Sequence, residues 1–145
     1  MSIPGPTPSE ADSPYVGRGG LKLHHALHAF AIDPEGATAA DLGCSTGGFT
    51  DCLLRHAAAH VHAVDTAYGQ FAWKLRQDPR VSLHERTNAL HFDPADAVED
   101  FNGVDLVVID LGWTPQRLAL PAAARWLARD ATRRERARVI SLIKP

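Results

Sequence analysis

Cysteine is nearly missing from this sequence: Cys44 and Cys52 are its only two. Two thiols cannot make a disulfide scaffold, and they lack the paired spacing of a cysteine zinc site, so both are expected to be buried and reduced, in a reducing compartment. Long apolar runs are missing too. No stretch approaches the roughly 20 residues needed to cross a bilayer, and residues 1–14 show no apolar core flanked by positive charge. Neither a membrane span nor a secretory leader is expected, and the protein is expected to be cytoplasmic. A surplus of positive charge is also lacking, with 15 Lys and Arg against 17 Asp and Glu. A broadly basic nucleic-acid binder is excluded, so any contact with RNA has to be local.

What the sequence does contain is enough apolar material for one core, 45% hydrophobic residues in 145, and a single domain is the expectation. Residues 1–14 carry four prolines and almost no large apolar side chain, which predicts a disordered tail ahead of a domain over 15–145. From Gly20 the spacing of Leu23, Leu27 and Phe30 predicts a helix, closed by Asp33-Pro34 and Gly36. Apolar runs at 39–42, 61–64, 81–83, 104–109 and 139–143 read as strands, and 48–56, 70–77 and 121–128 as helices. Strands that alternate with helices predict an α/β fold of the Rossmann-like type, a parallel sheet of about five strands with helices on both faces. The charged stretch 129–138 reads as a solvated helix end and loop.

The segment Asp41-Leu42-Gly43-Cys44-Ser45-Thr46-Gly47-Gly48-Phe49 leaves the first strand and enters a helix, where outward-facing amides favour a polar or anionic ligand. A dinucleotide fingerprint needs a glycine where Ser45 stands, which disfavours NAD. Asp41 is suited to the ammonium group of an amino-acid-like cofactor, and Gly47-Gly48 to its methionine portion, so the loop points to S-adenosyl-L-methionine. Twenty-four residues beyond Asp41, the second strand ends at Asp65, whose carboxylate can accept hydrogen bonds from both ribose hydroxyls. Asn88, after the third strand, either faces the adenine or closes a turn. The eight histidines, His24, His25, His56 and His60 among them, show no compact ligand spacing, and no metal is expected.

Strands four and five are expected to end at Asp110 and Lys144, which brings both side chains to the ligand edge of the sheet beside the cofactor, Asp110 being expected to contact it, with Lys22 reaching the same crevice from the first helix. A weakly acidic hydroxyl attacking a methyl group needs orientation and a base. A lysine near Asp110 either stabilises the developing alkoxide or, with its pKa lowered, takes the proton itself.

Tyr15-Val16-Gly17-Arg18-Gly19-Gly20-Leu21-Lys22-Leu23, the loop through Phe49, Glu85-Arg86-Thr87-Asn88 and Leu142-Ile143-Lys144-Pro145 resemble the hemolysin-like TlyA family of FtsJ-type ribosomal RNA 2′-O-methyltransferases. The resemblance runs from Tyr15 to the last residue. It implies methyl transfer from S-adenosyl-L-methionine to a ribose 2′-hydroxyl, and it implies that Lys22, Asp110 and Lys144 are the first three members of a Lys-Asp-Lys-Glu catalytic set. Set against the family, the sequence lacks the S4-type RNA-binding domain, the final strands and the catalytic glutamate, so a C-terminally truncated domain is expected, with its fifth strand an uncovered edge. A protein partner would then help to recognise the RNA. After Asp110 the family has a Ser-Phe-Ile-type segment, but this chain reads Leu111-Gly112-Trp113-Thr114-Pro115, where Trp113 either stacks on a base or packs internally.

Arg18, Arg117, Arg125 and the arginines of 133–138 are candidates for phosphate contacts with ribosomal RNA or a ribosomal subunit. An alternative is an RNA-binding or assembly module that keeps the cofactor pocket with little activity. Methylation of a small molecule or a protein is a further one, since fold does not fix substrate.

Overall fold

The computed structural model describes residues 13–143; the expected tail, except for its last two residues, and Lys144 lie outside the described residues. In chain order the elements are α1 (Gly19–Ala29), β1 (Thr38–Leu42), α2 (Gly48–Arg55), β2 (His60–Val64), α3 (Trp73–Arg76), β3 (Val81–His84), α4 (Pro94–Ala97), β4 (Leu106–Ile109), α5 (Gln116–Ala124), α6 (Ala131–Arg136) and β5 (Arg138–Ser141). The strands form one sheet ordered β3-β2-β1-β4-β5, with every neighbouring pair parallel. The expected five-stranded parallel fold is present, with β1 at its centre.

Successive residues of a strand point to opposite faces, and this alternation sorts the core into two layers. Ala39, Val61, Leu106 and Val108 meet Leu23 and Leu27 of α1 and Leu53 of α2 on one face. Ala40, Leu42, Val64, Val107 and Ile109 meet Ala119 and Ala123 of α5 and Trp126 on the other. Strands covered on both sides read as continuous apolar runs rather than alternating ones, which is why they were visible in the sequence.

Several element ends differ from the expectation. β5 stops at Ser141 instead of running to Lys144, because its register pairs Ser141 with Ile109, the last residue of β4. Leu142 still donates its N–H to the Ile109 carbonyl at 2.9 Å, but Ile143 is 73% exposed. The helix expected over 70–77 shrinks to α3, because Phe71 is buried in the core and the Ala72 N–H bonds the Thr46 carbonyl at 2.9 Å. The helix expected over 121–128 is displaced to α5, with Pro115 at its N-cap and Pro121 inside it on an exposed position. Trp126 and Ala128 leave that helix and bond the main chain of Val104, at 2.7 and 2.9 Å. The charged stretch forms α6, capped by Asp130, whose carboxylate accepts the Arg133 N–H at 3.0 Å.

A row of imidazoles crosses the α5 face. The His62 ring lies 4.9 Å from that of His60, 5.8 Å from that of His84 and 5.4 Å from Trp126. Burial pushes the His62 imidazole down to about 4, and it lowers His60 and His84 as well. The folded chain thus refuses protons that the unfolded chain accepts below about pH 6.5. The contribution of His62 to stability is whole above that pH and is lost as pH falls toward 4. Urea titrations at pH 7 and pH 5 are expected to show a lower midpoint at pH 5, and His62→Phe, which keeps an aromatic ring but cannot titrate, should shrink that difference. An equal pH dependence in both proteins would exclude His62 as a source.

Candidate functional site

The loops that leave β1, β2, β3 and β4 enclose a concavity of about 490 Å³, lined by Gly43, Ser45, Asp65, Thr66, Gln70, Thr87, Asn88, Leu90, Asp110, Leu111 and Thr114 among others. In open parallel sheets this carboxyl edge is where ligands bind. Gly43 turns the chain out of β1 at φ +87°, and a Cβ there would stand 2.0 Å from the Asp110 carbonyl oxygen. Only glycine permits both the turn and that approach, so the ends of β1 and β4 meet here. Ser45 follows at φ 50°, and its N–H donates to the Asp65 carboxylate at 2.7 Å. The second Asp65 oxygen accepts the Ala67 N–H at 2.8 Å. Asp65 therefore latches the β1 loop to the β2 loop while it lines the concavity. Asn88 accepts the Leu90 N–H at 3.0 Å, so it closes a turn and also lines the site.

Thr46, Gly47, Gly48 and Phe49 do not line this concavity, contrary to expectation. Gly47, at φ +105°, gives way to Leu75 and Phe71, which a Cβ would strike at 2.4 and 2.9 Å. Gly48 lets the start of α2 reach the backbone of α1, since its Cβ would lie 2.9 Å from the Gly20 nitrogen. The glycine pair permits this helix packing. Phe49 is buried beneath Gly19, in the layer shared by α1 and α2.

Asp41 is fully buried, and one of its oxygens accepts the Thr50 hydroxyl at 2.8 Å. Its other oxygen has no hydrogen-bond partner, and burial pushes the carboxyl up to about 7. In this conformation it cannot meet an ammonium group directly. It holds the loop from behind, through α2.

Lys22 and Asp110 do not share one pocket. Lys22 lines a separate groove of about 200 Å³ with Phe30, Phe49 and residues 140–143, while Asp110 lines the larger concavity. The hydrogen bond from Leu142 to Ile109 makes the two sites neighbours, because Leu142 is in the groove and Ile109 precedes Asp110. Lys144 lies outside the described residues.

Trp113 is 96% exposed, which removes the packing alternative for it. Its neighbours Leu111, Gly112 and Thr114 line the concavity. Arg125 and Arg133 are not available as phosphate contacts: Arg125 donates to the carbonyls of Ala89, Leu90 and Phe92, and Arg133 pairs with Asp105 at 3.0 Å. Arg125 instead anchors the chain after Asn88, a role with no signal in the sequence. The Glu85 carboxylate receives two hydrogen bonds from Arg76, at 2.7 and 2.8 Å, and so braces the β3 loop. Thr66, Gln70, Thr87 and Thr114 were missed as lining residues, although the places of Thr66 and Thr87 just beyond strand ends could have marked those two.

Residues 15–145 match the FtsJ-like methyltransferase family. The 16S/23S rRNA (cytidine-2'-O)-methyltransferase TlyA of Mycobacterium tuberculosis is 46% identical over 138 residues, 94% of this chain and 48% of that protein. The 23S rRNA (cytidine-2'-O)-methyltransferase TlyA of Campylobacter jejuni is 34% identical over 85 residues, 59% of this chain and 34% of that one. A solved hemolysin-type protein of Streptococcus thermophilus superposes with a TM-score of 0.81 at 39% identity, covering 91% of this chain and 45% of its own. The chain spans about half the length of the Mycobacterium relative. Among the described residues, no helix is long and apolar enough to cross a membrane.

Proposed function

Because this chain belongs to the FtsJ-like methyltransferase family, we propose that its concavity holds S-adenosyl-L-methionine and that the protein methylates a ribose 2′-hydroxyl of ribosomal RNA, in the cytoplasm. One observation carries this reading: Asp65 and Asp110, from the ends of β2 and β4, line one concavity of about 490 Å³ at the loop edge of a parallel sheet. Small-ligand sites span about 300–1,000 Å³.

The lining fits the cofactor. Each Asp65 oxygen uses one acceptor site on a backbone N–H and keeps another for one hydroxyl of a ribose diol. The Asn88 amide group can donate to the adenine edge, between the apolar walls of Leu90 and Leu111. Gly43 and Ser45 border the part left for the methionine portion. When bound, S-adenosyl-L-methionine supplies an electrophilic methyl group.

The chain's own residues do the rest. Asp110 accepts the hydrogen bond of the 2′-hydroxyl and so turns an oxygen lone pair toward the methyl. Lys22 comes from the adjoining groove, and it or Lys144 stabilises the alkoxide as it develops or accepts the proton. Methyl transfer to 2′-oxygen also selects RNA over DNA, since DNA has no such group. Arg117 and Arg136 are exposed and supply local phosphate contacts, with a protein partner contributing to the choice of site.

The test is incubation of the chain with labelled S-adenosyl-L-methionine and each ribosomal subunit. Label on one nucleotide whose following bond resists alkali is the expected result, with transfer lost in Lys22→Ala and Lys144→Ala. Because one relative is named for 16S and 23S rRNA and another for 23S alone, assaying the subunits apart decides which pattern holds here. Label on a base, or none on either subunit, would overturn the proposal.

Trp113 offers a stacking platform at the rim of the concavity. Stacking of a base on an aromatic ring contributes about 1–3 kcal/mol. Trp113→Ala is therefore expected to raise the KM for RNA about tenfold, leaving cofactor affinity unchanged, and Trp113→Phe should recover most of the loss. An unchanged KM would remove Trp113 from the RNA path.

A further inference from the structure

On the α1–α2 side of the molecule, away from the concavity, tertiary packing joins residues that are far apart in sequence. His24 of α1, Cys52 of α2 and His56, which caps the end of α2, each offer one ligand atom, and these atoms all lie within 4.8 Å of one another. Cys52 and His56 stand four residues apart, on one face of α2, and the Cys52 sulfur is 3.7 Å from His56 Nδ1. His24 reaches them from the facing helix, its ring 5.2 Å from that of His56.

We propose that His24, Cys52 and His56 form a binding site for a zinc-type divalent ion that clamps α1 to α2. One thiolate with two imidazoles suits zinc, at about 2.3 Å to sulfur and 2.0 Å to nitrogen, with the ligand atoms about 3.5 Å apart in a tetrahedron. The His24 ring is already oriented by an outer contact, as metal-bound histidines are. The Tyr15 hydroxyl lies 2.9 Å from His24 Nδ1, while His56 Nδ1, beside the Cys52 sulfur, exchanges its 2.7 Å contact with the Cys52 carbonyl oxygen for the ion. Access is provided by a surface concavity of about 440 Å³ lined by His24, His28 and His56. Water completes the fourth position from that side.

Burial raises the Cys52 thiol to about 12, so without a cation it stays protonated. On binding, the S–H bond breaks, a sulfur–metal bond forms, and the proton passes to solvent. Arg55, the cation beside Tyr15, is paired with Asp51 at 3.1 Å, so its charge is partly offset. The clamp would fix the helix that carries Lys22, but its existence does not depend on the methyltransferase reading.

The site is tested with cobalt(II) and zinc added to the full chain after chelation. Wild-type protein is expected to bind one cobalt ion with a near-ultraviolet thiolate-to-cobalt band. Cys52→Ser should lose the band and Cys44→Ser should keep it, while His24→Gln, altered at an exposed position, should bind at least tenfold more weakly. Saturating zinc should raise the unfolding temperature of wild type by roughly 5–10 °C and raise that of His24→Gln by several degrees less. Should Cys52→Ser fail to fold, the His24→Gln comparison decides. A wild type without the thiolate band, or equal cobalt affinity in wild type and His24→Gln, overturns the proposal.

Discussion

Alanine in place of Asp110 is expected to lower methyl transfer to RNA by about 10³-fold, within the range of about 10² to 10⁴ that a positioned acid–base group contributes. The fold should survive the change. Residue 110 is held by its main chain, whose N–H bonds the Leu42 carbonyl at 2.9 Å and whose carbonyl oxygen occupies the space left by Gly43. Its half-buried side chain faces the concavity. Asp110→Asn keeps the size of that side chain and removes its charge, so its activity separates orientation by shape from the work of a carboxylate. Both variants should bind the demethylated cofactor within about threefold of wild type, since the proposed work of Asp110 falls on the hydroxyl. Single-turnover rates at saturating cofactor make the measurement. An Asp110→Asn rate above a third of wild type would remove the carboxylate from the chemical step.

The second large effect falls on the cofactor itself. Asp65→Ala deletes the acceptor of the Ser45 and Ala67 N–H groups as well as the proposed ribose contact. Hydrogen bonds to charged groups contribute about 1.5–3 kcal/mol each, and a loss of about 3 kcal/mol is a decrease of roughly 100-fold in affinity. The decrease should appear by calorimetry with both S-adenosyl-L-methionine and its demethylated product. Asp65→Asn is expected to lose nearly as much, because its amide must turn a donor toward one of two backbone donors. Far-UV circular dichroism should stay as in wild type, since the latch lies between loops and not within the sheet. Binding within threefold of wild type for Asp65→Ala would place the nucleoside elsewhere.

How far each feature could be read from residues depends on the range of the forces that set it. The strands were legible because two-sided burial writes itself as short apolar runs such as 106–109. Strand ends were less so. β5 stops where β4 stops, a limit set by its partner and not by the apolarity of Ile143. The loop glycines were legible as a cluster, but their separate tasks were not. Gly43 answers to the backbone of Asp110 and Gly47 to Leu75 and Phe71, neighbours from distant parts of the chain. Asp65 was found from its place at a strand end, while its latch on Ser45 needed the two loops side by side.

By itself, the sequence determined the α/β class, the alternation of strands and helices and the segments from which a site could be drawn. These follow from local periodicity and turn chemistry, which act over a few residues. Only the tertiary structure decided which drawn residues meet. It brought Asp65 and Asp110 together, set Lys22 in the adjoining groove, closed Asp41 behind Thr50 and collected His24, Cys52 and His56. Those outcomes depend on how closely backbones approach and which face each helix buries, quantities fixed by packing among distant segments and carried by no single stretch of chain.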